Sequence, residues 1–161
     1  MRQSAGTTLA ERWNGTAWAI QSTPALADGG EFTGVSCPST SLCIAVGTAF
    51  TSNSAKNLAE EWDGTAWSEQ TIPGGSGASI SAVSCPSAIS CTAIGNSGGV
   101  SGVTLAEGWN GSTWTIESTP APNGYSFPLG ISCTAVTTCT STGEYFPSDG
   151  GTTDNLAYQL S

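Results

Sequence analysis

The chain is predicted to be all-β, a series of four-stranded repeat units, on three observations. The phrases LAERWNGTAW from Leu9, LAEEWDGTAW from Leu58 and LAEGWNGSTW from Leu105 are near-copies, and a broken fourth copy, LAYQLS, starts at Leu156. A second phrase recurs between them: VSCPSTSLCIAVG from Val35, VSCPSAISCTAIG from Val83 and ISCTAVTTCTSTG from Ile131. The four leucines stand 49, 47 and 51 residues apart, a period long enough for a four-stranded unit that buries its apolar face only against its neighbours. Finally, no stretch keeps a 3.6-residue apolar period, so almost no helix is expected.

The elements follow in order from one copy. Ser81–Cys85 alternates small and apolar residues and reads as a first strand, with Pro86–Ile89 as a turn. Cys91–Gly95 is a second strand, and a Gly-, Ser- and Asn-rich connection covers 96–102. Val103–Trp109 is a third strand and Thr113–Glu117 a fourth, ended by Ser-Thr-Pro. Between these two stands Asn110-Gly111, matched by Asn14-Gly15 and Asp63-Gly64. Such a pair between aromatic runs predicts a type I′ hairpin with positive φ at both positions. The two tryptophans of each W-x-G-x-x-W then sit on neighbouring strands as a packing pair. Asn14-Gly-Thr and Asn110-Gly-Ser match the glycosylation pattern, but the turn explains those letters and Asp63 breaks the pattern.

Six cysteines form three C-x5-C pairs at one place in each repeat: Cys37 with Cys43, Cys85 with Cys91, and Cys133 with Cys139. Zinc sites need about four converging ligands at tighter spacing, and the chain has no histidine. Buried free thiols are the second reading. Disulfides pinning a hairpin are the favoured one, because facing residues of an antiparallel pair lie at a bridgeable separation. Each closes a short loop and contributes roughly 2 kcal/mol. Bridges imply an oxidising compartment, so a secreted or cell-surface protein is expected, its export signal outside this chain.

The 161 residues suit a single repeat domain with a real core. Twelve acids against three bases, Arg2, Arg12 and Lys56, give a net charge of −9. That balance argues against nucleic acid and anionic membrane surfaces, which attract basic clusters. No apolar run approaches a membrane span, so no membrane insertion is expected. Only 9% of residues are charged, and scattered acids of this kind serve solubility.

The Ala59-Glu60-x-Trp62, Asp63-Gly64 and Trp67 series, repeated in the other copies, resembles kelch repeats. There an apolar residue precedes Glu-x-aromatic, a turn and a fourth-strand Trp. The whole repeat looks like those of uncharacterised secreted β-propeller proteins of actinobacteria, over nearly all of residues 5–160. It departs from kelch in having one glycine, Gly47, Gly95 or Gly143, where kelch has two, and a shorter turn between the third and fourth strands. The resemblance implies propeller blades. The chain holds strands 3–4 of a first blade (5–32), a second blade (33–73), a third (80–118) and strands 1–3 of a last (128–161). That makes thirteen strands, about three blades, where propellers have about four to eight. A homodimer closing six blades is the expected partner arrangement, with either Leu9–Trp13 or Leu156–Leu160 displaced. A β-trefoil, whose members are often carbohydrate-binding lectins, is the rival fold.

No catalytic centre is expected, and no cofactor or metal. Without histidine there is no imidazole base and no Ser-His-Asp triad. Two-carboxylate glycan hydrolysis on a propeller is the enzyme alternative, but Glu11, Glu60 and Glu107 recur once per repeat and read as structural. The expected function is that of a non-catalytic binding or scaffold module for a protein or glycan. Its ligand face is built by the divergent segments 22–33, 47–56, 71–80, 96–102, 118–130 and 144–155. The candidate ligand-binding residues are Tyr125, Phe127, Glu144, Tyr145, Phe146 and Asp149, aromatics beside carboxylates.

Overall fold

A computed structural model describes residues 6–98, 102–120, 123–151 and 154–160. Arg2 and Ser161 lie outside the described residues, as do the side chains of Leu156, Tyr158 and Leu160. The described residues form thirteen strands and no helix. A two-stranded sheet contains β1 (Ala10–Trp13) and β2 (Trp18–Gln21). A four-stranded sheet follows in the order β3 (Gly30–Ser39), β4 (Leu42–Thr51), β5 (Ser54–Trp62) and β6 (Trp67–Gln70). The next repeats it with β7 (Ser79–Ser87), β8 (Ser90–Ser97), β9 (Val103–Trp109) and β10 (Trp114–Glu117). The last contains β11 (Gly124–Ala135), β12 (Thr138–Pro147) and β13 (Asp154–Leu160). Every pairing is antiparallel between chain neighbours.

Burial explains why the strands read so differently. β4 and β8 are buried on both faces, and their sequences run continuously small or apolar, Ile44-Ala45-Val46-Gly47 and Thr92-Ala93-Ile94-Gly95. β6 and β10 lie at sheet edges and carry polar letters. The core gathers Ile44, Val46, Ala59, Ile80, Val83, Ala93 and Leu105 between the two four-stranded sheets. First strands touch in series, β3 against β7 and β7 against β11. Side chains tie them: Thr33 Oγ1 donates to the Ile80 carbonyl at 2.7 Å. The Cys85 amide donates to Ser36 Oγ at 3.0 Å, and the Cys133 amide to Ser84 Oγ at 2.9 Å.

The three disulfides form as paired in the sequence, Cys37–Cys43, Cys85–Cys91 and Cys133–Cys139, each near the tip of a first hairpin. The tryptophan pairs also form. Trp13 faces Trp18 at 5.9 Å between ring centroids, Trp62 faces Trp67 at 5.9 Å and Trp109 faces Trp114 at 5.6 Å.

The type I′ turn does not form. Gly15, Gly64 and Gly111 have positive φ, but no non-glycine residue among those described does. Each paired tryptophan brackets four residues rather than two. The first of the four bends the chain with its own side chain: Asn14 Oδ1 accepts from the Thr16 and Ala17 amides, and Asp63 Oδ1 and Asn110 Oδ1 do the same. An acceptor at that position therefore explains Asn or Asp without a left-handed backbone.

The divergent segments are also shorter as loops than their composition predicts. β4 and β5 leave only Ser52 and Asn53 between them, and β11 starts at Gly124 rather than 128. The turn predicted over Pro86–Ile89 is confined to Ala88 and Ile89. Polar β-tolerant residues pair here because the partner strand satisfies their backbone groups.

The single glycine of the second strand has a packing cause. Each first strand shifts register by one residue, at Phe32/Gly34, Ile80/Ala82 and Pro128/Gly130. Beside the shift, a Cβ on Gly47, Gly95 or Gly143 would collide with the carbonyl oxygen of Glu31, Ser79 or Phe127. Gly95→Ala should therefore destabilise the chain by about 2 kcal/mol or more, lowering the urea midpoint. An unchanged midpoint would show that the first strand yields.

Candidate functional site

The residues singled out for ligand binding lie on one hairpin. Tyr125 stands opposite Phe146 and Phe127 opposite Glu144 in the β11–β12 ladder. Strand alternation puts these four on one face. Phe127 and Phe146 meet edge-on with centroids 5.6 Å apart, and Tyr125, Glu144 and Phe146 are exposed. Tyr145 belongs to the other face, opposite Ser126, and its hydroxyl donates to the Asn123 carbonyl at 2.6 Å. Asp149 lies beyond β12, where its Oδ1 accepts from the Gly151 amide. The structure thus brings four of the six together and leaves Tyr145 and Asp149 apart from them.

The repeat shows which way that face points. Ser126 contacts the preceding sheet: its Oγ accepts from the Thr104 amide at 2.7 Å, and its carbonyl accepts from Asn96 Nδ2 at 2.6 Å. The face carrying Phe127 and Glu144 therefore points away from that sheet. Ser79 and Asn96 occupy the same register position in β7 and β8, as do Glu31 and Thr48 in β3 and β4. Thr48 and Asn96 are buried. Glu144, their counterpart, is exposed because no sheet follows it among the described residues.

The other end of the series is uncovered as well. Leu9 is 60% exposed where Leu58 is 1% exposed, and Trp18 is 66% exposed where Trp114 is 5% exposed. Trp13, Ile20 and Val35 are exposed as well. β1 has β2 on one side and, among the described residues, no strand on the other. A groove of about 520 Å³ separates the β1–β2 hairpin from β3 and β4, lined by Trp13, Val35, Cys37, Trp62 and Trp67 among others. Two contacts hold the hairpin: Arg12 Nη2 donates to the Thr40 carbonyl at 2.9 Å with its guanidinium over Trp62, and Trp67 Nε1 donates to Gln21 Oε1 at 3.0 Å. In the sequence Leu9–Trp13 reads only as one of the two strands open to displacement on ring closure, and no candidate site residue is placed here. The signal was the repeat itself, since the tryptophans of β1 and β2 carry the letters that are buried or half-buried in the middle copies.

The recurring acids lie inside the sheets. Glu60 and Glu107 are fully buried, whereas Glu11 is exposed on β1. Desolvation, with a smaller repulsion from Glu69, pushes the Glu60 carboxyl up to about 7. Desolvation also pushes Glu107 up to about 7, against a lowering hydrogen bond from Asn57. Asn57 Nδ2 donates to Glu107 Oε1 at 3.2 Å, across the sheet boundary, and to the Pro73 carbonyl at 2.9 Å. Thr8 holds Asn57's place one copy earlier, next to Leu9, and its hydroxyl pairs with that of Thr23. Neither Glu60 oxygen has a hydrogen-bond partner among the described residues. Among these residues no group of three or more His, Cys, Asp or Glu is placed to hold a metal ion.

Comparison with protein-family models finds no match, and no curated protein matches the chain. The three disulfides fit an oxidising environment. No helix among the described residues is long and apolar enough to cross a membrane.

Proposed function

We propose that the chain is a secreted, non-catalytic assembly module of kelch-like β-propeller blades, and that it pairs with a second copy of itself into a six-bladed ring. The observation that carries this reading is an inter-sheet bond made twice and left unmatched at both ends. Ser36 Oγ takes the Cys85 amide and Ser84 Oγ takes the Cys133 amide. The third serine of the series, Ser132, is exposed, and so is Cys37, the first cysteine. Ser132 of each copy therefore meets Cys37 of the other. Such a head-to-tail contact closes a ring when the rotation allows and otherwise runs on as a filament.

Two further features favour propeller blades over a trefoil. Each full sheet is a simple four-stranded meander, and ladder pairing stays within sheets while side chains join one sheet to the next. The burial of Glu60 and Glu107 inside those sheets supports the non-catalytic reading. We assign the Tyr125, Phe127, Glu144 and Phe146 patch to assembly, because Asn96, the counterpart of Glu144 one copy earlier, bonds the following sheet. Light scattering should give twice the chain mass at micromolar concentration. A mass of one chain at every concentration would sink the paired ring, and a mass growing with concentration would replace it with a filament.

A further inference from the structure

Building on the paired ring proposed above, we infer that the β1–β2 hairpin of one copy completes the last sheet of the other, β1 taking the β12 edge from β13. The ladder registers carry the inference. In the two full sheets the second strand meets the third with Cys43 opposite Trp62 and Gly47 opposite Leu58, then Cys91 opposite Trp109 and Gly95 opposite Leu105. In the last sheet Cys139 stands opposite Leu160 and Gly143 opposite Leu156. β13 therefore occupies the place of the Leu-Ala-Glu-x-Trp strand, yet it has Tyr158 for the glutamate and Leu160 for the tryptophan. β1 has the full phrase, Leu9, Glu11 and Trp13, and among the described residues β2 is its one strand partner. In the paired ring one β12 edge has two claimants.

β2 decides between them. The last sheet has no fourth strand among the described residues, and a cleft of about 450 Å³ lies beside that vacant position, lined by Thr92, Glu117, Val136, Cys139 and Gln159 among others. Between the first two sheets, Trp67 of a fourth strand donates to Gln21, the third residue after Trp18. Glu117 is the third residue after Trp114 and lines the cleft. That indole bond is made at one boundary only, since at the next the Trp114 N–H has no partner among the described residues. Trp18 of the second copy, in the place of the buried Trp114, is the side chain the repeat brings to the cleft. Trp18 is joined to Trp13 by ring contact and by the four paired residues of the β1–β2 ladder. Keeping β13 in place would require β1 to be stripped from β2, whereas releasing β13 moves the hairpin in whole. β13 is then a stand-in that covers the β12 edge until a second copy arrives.

Proline tests the two claimants at matched positions, since it removes a ladder donor. Ala157→Pro expels β13, and Ala10→Pro disrupts β1. Ala157→Pro should still dimerise, with an apparent Kd lowered by about tenfold or more because a competitor for the edge is gone. Ala10→Pro should lose the dimer. A chain truncated after Gly151 repeats the first test without proline. Trp18→Ala, at a side chain exposed in the single chain, repeats the second without touching the ladder and should raise Kd by about tenfold or more. The reverse pattern, with Ala157→Pro monomeric and Ala10→Pro and Trp18→Ala dimeric, would overturn the exchange and leave the paired ring standing. An unsubstituted chain that never dimerises would instead remove the paired ring on which the exchange rests.

Discussion

Reduction of the three disulfides is expected to unfold the chain at a urea concentration that leaves the oxidised protein native. Each bridge spans a sequence separation of 6 and contributes roughly 2 kcal/mol through the chain entropy it removes from the unfolded state. Three together supply about 6 kcal/mol, against a total of about 5–15 kcal/mol for a domain. Their position adds to the effect. All three lie where the first-strand ladder loses register, between Ser36 and Ser39, Ser84 and Ser87, and Cys133 and Ala135. The covalent link holds the strands together where hydrogen bonds are interrupted. The middle bridge is packed into the core through Cys91, while Cys37 of the first is exposed. Replacing Cys85 and Cys91 together by alanine should therefore lower the urea midpoint more than replacing Cys37 and Cys43. Equal midpoints with and without reductant, in a protein shown by mass to lack six protons, would refute the stabilising role.

The bridges, the strand count and the tryptophan pairs were legible because a repeat states each of them three times. A single C-x5-C leaves thiol, metal and disulfide open, but three in step with a strand pattern point to hairpin tips. The turn geometry was misread for a physical reason. Asn-Gly favours a left-handed pair only when two residues connect the strands, and here Asn14, Asp63 and Asn110 use their side chains to close a four-residue loop. The loop segments were overextended because Ser, Gly and Asn carry no strand signal by themselves. Their pairing is imposed by the partner strand, as in Thr48 opposite Glu31 and Asn57. The candidate patch was legible in its residues but not in its register. Aromatics and an acid at divergent positions suggest a ligand, but only the register reveals that Glu144 stands where Thr48 and Asn96 are buried. Composition gives what a surface contains; the repeat in three dimensions gives which of its positions are buried in the other copies.

The buried acids make the second large prediction, a stability that falls as pH rises from 4.5 to about 7. Glu60 and Glu107 ionise near 4.5 in the unfolded chain and near 7 in the fold. Between those values the folded state holds protons that the unfolded state has released, so unfolding is favoured by each increase in pH. The contribution is complete below 4.5, declines through the window and is gone above about 7. Each step of one pH across that window costs about 1.4 kcal/mol per carboxyl, so each carboxyl takes up to about 3 kcal/mol from stability at pH 8. Asp63 works in the opposite sense in a separate window. The Thr65 side chain, then the Ala66 and Thr65 amides, hold it at about 2, so its contribution is lost only as pH falls below its ordinary 3.8. Thermal midpoints should therefore be highest near pH 4.5 and decline toward pH 8. Glu60→Gln and Glu107→Gln should each flatten that decline, since an amide keeps the shape and cannot ionise. Glu60→Gln should gain more at pH 8, because the ionised Glu60 has no hydrogen-bond donor and stands opposite Glu69, whereas Glu107 keeps Asn57. A decline of the same depth in both variants would show that the pH dependence comes from other groups and that these carboxyls find water in the fold.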